Sequence, residues 1–210
     1  MGKEKIKNKS RKGKAFVLII AILIIIPIIT AQVNYGKNIV SAQSFSTYTI
    51  DGYIQDQGAT SVFKYGFNSS SKSGCGWIAT YNVLTFMYNK GFYDKEVPVE
   101  DVIKPLDSFA SFGFGYLGTN PLAIKWFLEI KGFKVEFIID QTKFKEKAKA
   151  SDINIIAYLR KNLTRGHYQM MEYDEAQDDF IFYTSSSRKT IESYLADHEN
   201  DYTFLLTVSI

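Results

Sequence analysis

Cys75 is the single cysteine of the chain, and it lies in Ser73-Gly74-Cys75-Gly76-Trp77. It opens a stretch, residues 76–89, that carries no charged side chain. A lone thiol can be a small buried hydrophobe. Flanking glycines remove side-chain cover and allow a substrate or another backbone to approach closely. If the uncharged stretch is a helix, the positive end of its dipole favours a thiolate at Cys75. The chemistry this suggests is nucleophilic attack by sulfur, which needs a base close by. The chain offers two imidazoles. His167, in Gly166-His167-Tyr168-Gln169-Met170, begins a β-like run, and the glycine before it leaves the mouth of that strand open. His198, in Ala196-Asp197-His198-Glu199-Asn200, falls at a polar helix end and reads as a solvated histidine or a partner of the helix dipole.

A catalytic imidazole also needs a group that orients it. Residues 166–173 and 180–187 read as a hairpin with its turn between Ala176 and Gln177, so paired positions sum to 353. His167 then faces Ser186, with Thr184 as its diagonal neighbour on the same face. A threonine hydroxyl accepts a ring N–H but brings no charge to stabilise imidazolium. For an oxyanion, the Cys75 backbone N–H is one donor, with Asn68 or Ser69 as a side-chain second. Gly74, Gly76 and Trp77 complete the expected substrate-binding set. The alternative for Asn68 and Ser69 is a loop bonded only to itself, and for Trp77 a place in the core or the cleft wall.

The elements that must hold these groups follow from pattern. Residues 68–74 form a polar loop that delivers the chain to Cys75. Residues 76–89 are apolar around most of the circumference and read as a buried helix, with Gly91 just past its end. A short helix is expected over 98–106 and a Gly- and aromatic-rich loop against a cleft over 109–118. Asn120-Pro121 caps a further helix closed by Gly132. Strands are expected over 48–54, 135–139, 155–158, 166–173, 180–184 and 204–210, with a polar helix over 141–150 and another over 188–197. Helices come first and strands later, which gives an α+β class with a mostly antiparallel sheet.

Composition sets the outer limits. The chain has 210 residues, 46% hydrophobic and 22% charged, enough for one ordinary core after the N-terminus is set aside. The net charge of +3 comes from residues 1–14, where seven Lys or Arg face one Glu; the remainder is −3. The folded part therefore has no basic footprint for nucleic acid. One cysteine excludes an intrachain disulfide, and no Cys/His spacing suits zinc, so no metal or cofactor is expected. The basic tail precedes an apolar run over 15–29, the pattern of an export signal. That run is shorter than the roughly 20 residues that span a bilayer comfortably. If it is not cleaved, residues 15–31 contact the membrane with the basic end inside. The chain thus divides into an export signal or anchor over 1–31, a linker and first strand over 32–55, and a domain over 56–210. That domain is secreted, or anchored on the outer side of the membrane.

Three blocks in order resemble the papain-like cysteine peptidases, and within them bacterial proteins related to the double-glycine leader peptidases. The blocks are Gly74-Cys75-Gly76-Trp77-Ile78-Ala79-Thr80-Tyr81-Asn82, then Gly118-Thr119-Asn120-Pro121-Leu122-Ala123-Ile124-Lys125, then Gly166-His167-Tyr168. The resemblance implies a papain-like fold with Cys75 as nucleophile, His167 as general base and then acid, and a peptide or protein substrate. Three departures stand beside it. The family's orienting Asp or Asn falls at Tyr183-Thr184-Ser185, its oxyanion glutamine is absent, and the chain has no ATPase motif of the exporters that carry such domains. The expected function is an exported thiol hydrolase that cleaves peptide bonds through an acyl-enzyme. The alternatives are a cell-wall peptide amidase, a non-catalytic binding module of the same fold, and a structural surface protein in which Cys75 is merely packed.

Overall fold

The computed structural model describes residues 52–210, apart from 112–114, 117 and 185–186, together with Lys37; the side chains of 108–110 are not among those described. The basic tail, the apolar run, the linker and positions 48–51 of the first expected strand lie outside the described residues.

A 3₁₀ turn at Gln57–Val62 leads into two short paired strands, β1 (Lys64–Tyr65) and β2 (Asn68–Ser69). A single-turn helix α1 (Ser70–Ser73) follows, and then α2 (Cys75–Asn89). Helices α3 (Glu100–Ala110) and α4 (Pro121–Ile130) complete the helical half. The sheet half runs β3 (Lys134–Ile138), α5 (Phe144–Lys149), β4 (Ile153–Arg160), β5 (Gly166–Asp174), β6 (Asp179–Phe182), β7 (Ser187–Lys189), α6 (Ile191–Asp197) and β8 (Asp201–Ser209). The larger sheet has the order β3-β8-β4-β5-β6-β7, and every pair in it is antiparallel. The class is α+β, as the run of helices followed by strands implies.

Helix α2 is the centre of the molecule, with twelve of its fifteen residues buried, so it has no solvated face. Trp77, Ile78, Leu84 and Met87 are fully buried, each contributing about 1.5–3 kcal/mol of transfer free energy. Burial on all sides requires its polar groups to be satisfied internally. Asn82 does this by imitating a strand: its Oδ1 accepts from Ile54 N at 2.9 Å and its Nδ2 donates to Ile54 O at 3.0 Å. Thr80 Oγ1 donates back to Gly76 O at 2.8 Å. The helix ends at Lys90, with Gly91 at φ +75°, the left-handed cap that glycine adopts without strain.

Strand alternation gives the sheet two faces, and each is covered by an apolar core. One face packs on α2 and α4 through Ile153, Ile155, Ala157, Tyr168, Met170, Leu206 and Val208, and α3 joins the same core by packing on those two helices. The other packs on α5 and α6 through Ile156, Met171, Phe180, Phe182 and Leu205. The β5–β6 hairpin has the expected register, with Met171 opposite Phe182 and Asp174 opposite Asp179, pairs that sum to 353. Three expectations change. The stretch over 188–197 divides into β7 and α6, because the Thr190 hydroxyl accepts from Ser193 N and starts the helix there. The polar loop over 68–74 is structured as β2 and α1. The helix expected over 98–106 begins at Glu100 and runs to Ala110 through Pro105.

Candidate functional site

Cys75 is the first residue of α2, and Gly74 before it is the helix cap. The flanking glycines are required by this protein's own packing. A Cβ at Gly74 would lie 2.6 Å from Ser70 O and from Trp77 Nε1. A Cβ at Gly76 would overlap the Thr119 side chain. Glycine's value here is close approach between segments, which corrects its expected role of baring the thiol. Cys75 is 5% exposed. Burial pushes its pKa above the ordinary value, against smaller opposing effects from backbone N–H groups of Tyr168, Gly76 and Cys75 itself. The sulfur is therefore held as a thiol.

Strand β5 presents Tyr168 to this thiol. The Tyr168 hydroxyl donates to Thr119 O, and burial raises its pKa well above the ordinary value, with the Cys75 and Tyr65 charges adding. Beneath it Tyr65 is fully buried and donates to Leu106 O at 3.0 Å.

His167 belongs to the other face of the sheet. It pairs directly with Tyr158 of β4, and their rings lie 6.5 Å apart. Tyr158 stacks at 3.9 Å on His198, which also packs on Tyr194 of the second core. Both histidines therefore gather on the α6 side. Burial lowers the His167 pKa, and the charges of Arg165 and His198 lower it further, so the imidazole is neutral. A Cys75–His167 dyad is thus not assembled. The physical reason is the period of two along β5: Tyr168 and Met170 bury their bulk against α2, which sends His167 to the opposite side.

The other expected site residues are also placed differently. His198 is pinned rather than solvated, with Nδ1 3.0 Å from Asp201 Oδ2. Thr184 lies past the end of β6, and its buried Oγ1 has no hydrogen-bond partner among the described residues, so it does not orient His167. Ser185 and Ser186 lie outside the described residues. Asn68 Nδ2 donates to Ser73 Oγ at 3.0 Å, and Ser69 Oγ caps α1 and donates to Ser61 O at 3.2 Å. Both hold the turn together and neither offers an oxyanion donor. Trp77 is a core residue, with its Nε1 donating to Ser70 Oγ at 3.1 Å and its ring edge-on to Phe63.

Cys75 instead lines a cavity of about 380 Å³ at the starts of α2 and α4, where they meet the open ends of β4 and β5. Its walls include Tyr116, Asn120, Leu163, Arg165, Tyr168 and Phe204. Tyr116 is 67% exposed and Leu163 51% exposed, so the rim is apolar and accessible. Sequence reasoning missed these residues, although Tyr116, Asn120 and Tyr168 fall inside segments it had marked. Among the described residues, no cluster of His, Cys, Asp or Glu could hold a metal ion, and no helix is long and apolar enough to cross a membrane.

The chain is similar to two solved peptidase domains. One is the peptidase domain of Streptococcus ComA, a bi-functional ABC transporter involved in quorum sensing, at 12% identity with a TM-score of 0.45 over 64% of this chain and 90% of that one. The other is a double-glycine motif protease from an AMS/PCAT transporter, crystallised in complex with the leader peptide, at 17% identity with a TM-score of 0.42 over 64% of this chain and 82% of that one. No protein-family model and no curated protein matches the chain.

Proposed function

We propose that this protein is a peptide-binding module in which the groove beside Cys75 receives an extended peptide and the thiol does not attack it. The observation that carries this reading is the placement of Cys75 and His167 against opposite faces of β5. The thiol stands beside a buried tyrosine, and the neutral imidazole that could accept its proton lies on the far face of the strand. The groove itself suits a ligand: about 380 Å³ falls within the usual range for binding pockets. Its aromatic walls carry a few polar groups, Ser73, Asn120 and Thr164 among them.

Thiol hydrolysis through Cys75 and His167 is the competing reading, favoured by the position of the sulfur at a helix start that opens on a cavity. It would require His167 to take the place of Tyr168. A one-residue slip of β5 does that only by turning Tyr168 and Met170 out of the α2 core, at about 1.5–3 kcal/mol for each such side chain. Export directed by residues 1–31 belongs to either reading and places the groove outside the cytoplasm.

The test incubates the full-length protein with a mixed peptide library. Retention of peptides is followed by affinity selection and cleavage by mass spectrometry of new termini. Retention without new termini is expected. New termini that disappear in Cys75→Ala would overturn the binding reading in favour of hydrolysis.

A further inference from the structure

The groove's electrostatics are unlike those of the domain around it. Residues 52–210 sum to −3, yet the groove is lined by two cations, Lys72 and Arg165, and by no Asp or Glu. Both cations are exposed, and among the described residues neither is engaged in an ion pair with a carboxylate. Lys72 lies in α1, and Arg165 immediately precedes β5. The N-termini of α2 and α4 both open on the same space, through Cys75 and Asn120, and each favours negative charge. Between them lies Thr119, 3% exposed. Its hydroxyl is turned inward toward the buried Tyr65, so the groove meets the rest of the residue. Beside these groups stand Leu159, Phe204 and Tyr168, an apolar floor.

From this arrangement we infer that the groove selects an acidic peptide, seating an Asp or Glu carboxylate between Lys72 and Arg165 with a neighbouring apolar side chain on the floor. The inference rests on the peptide-binding reading and adds the ligand's chemistry to it. The partner is another chain, because the protein's own tail over 1–14 carries seven cations against one Glu and Lys72 and Arg165 would repel it.

The experiment measures fluorescence anisotropy of the full-length protein with three labelled peptides that differ only at one position, Glu, Gln or Lys, beside a fixed Phe. The Glu peptide is expected to bind roughly tenfold more tightly than the Gln peptide, and the Lys peptide more weakly still. The double variant K72E/R165E, altered only at exposed positions, should reverse the order and favour Lys. Rising salt should weaken the Glu peptide and leave the Gln peptide nearly unchanged. Equal affinity for all three peptides, or an order unmoved by K72E/R165E, overturns the charge selection while leaving peptide binding standing. No binding by any of the three overturns both.

Discussion

The backbone N–H of Tyr168 points at the sulfur of Cys75, and the Tyr168 side chain closes over the first turn of α2 by donating to Thr119 O. Sulfur, phenol and carbonyl thus form one sealed corner of the groove, with the thiol as part of its wall.

Burial makes that thiol slow to react. Its ordinary pKa of 9.0 is raised in the fold, so iodoacetamide labelling of native protein should stay slow through pH 9 and become fast once the chain is denatured. Labelling rates across pH check this; a fast native reaction at pH 7 would mean a depressed pKa. The same shift acts on stability. Because the folded state holds the proton more tightly, the contribution is fully present below pH 9 and is lost as pH rises past it toward the folded value. Tyr65 and Tyr168, also raised by burial, add loss in the same direction at higher pH. Chemical denaturation at pH 7 and pH 10 should therefore show a clear drop.

His167 has the opposite sign. Its folded pKa lies below the ordinary 6.5, so the unfolded chain takes up a proton first as pH falls. The stability it contributes is present above pH 6.5 and is lost as pH falls through the window beneath it. Melting temperatures at pH 7 and pH 5 should differ, and His167→Gln should reduce that difference.

Gly76 has no room for a side chain. Gly76→Ala drives a methyl group into Thr119 and should cost about 1–3 kcal/mol. Thr119→Gly in the same molecule should recover part of the loss, as read by urea denaturation.

Asn82 joins α2 to the segment at Ile54 through two hydrogen bonds. Asn82→Leu leaves the buried Ile54 N–H and C=O without those partners and should destabilise the fold by about 1–3 kcal/mol for each group left unsatisfied. Denaturation midpoints measure the loss.

Residues whose neighbours in sequence are their neighbours in space were legible. The β5–β6 register followed from a turn at Ala176-Gln177, and the Asn120 cap from Asn-Pro, with its Oδ1 accepting from Leu122 N at 2.9 Å. The uncharged run from Gly76 announced a helix without a wet face. What the sequence hid was the choice of face in β5. Gly166-His167-Tyr168-Gln169-Met170 alternates, but both faces of the sheet carry an apolar core, so the pattern does not say which set meets α2. Tyr168 and Met170 decide it by bulk. The glycines around Cys75 were ambiguous for a similar reason, since an open site and a close contact with Thr119 demand the same residue. Asn68 and Ser69 read as donors because nothing local revealed that Ser73 and Ser61 would occupy them.

Disulfide trapping tests the placement of Cys75 most directly, because the chain has no other cysteine. Tyr168→Cys and His167→Cys each give a protein with two thiols, and mild oxidation joins them only if their Cα atoms lie within roughly 7 Å with Cβ atoms facing. The expected result is that Tyr168→Cys forms an internal disulfide and loses both thiols to alkylation, while His167→Cys keeps both. A disulfide in His167→Cys and none in Tyr168→Cys would put the imidazole beside the sulfur and contradict the account.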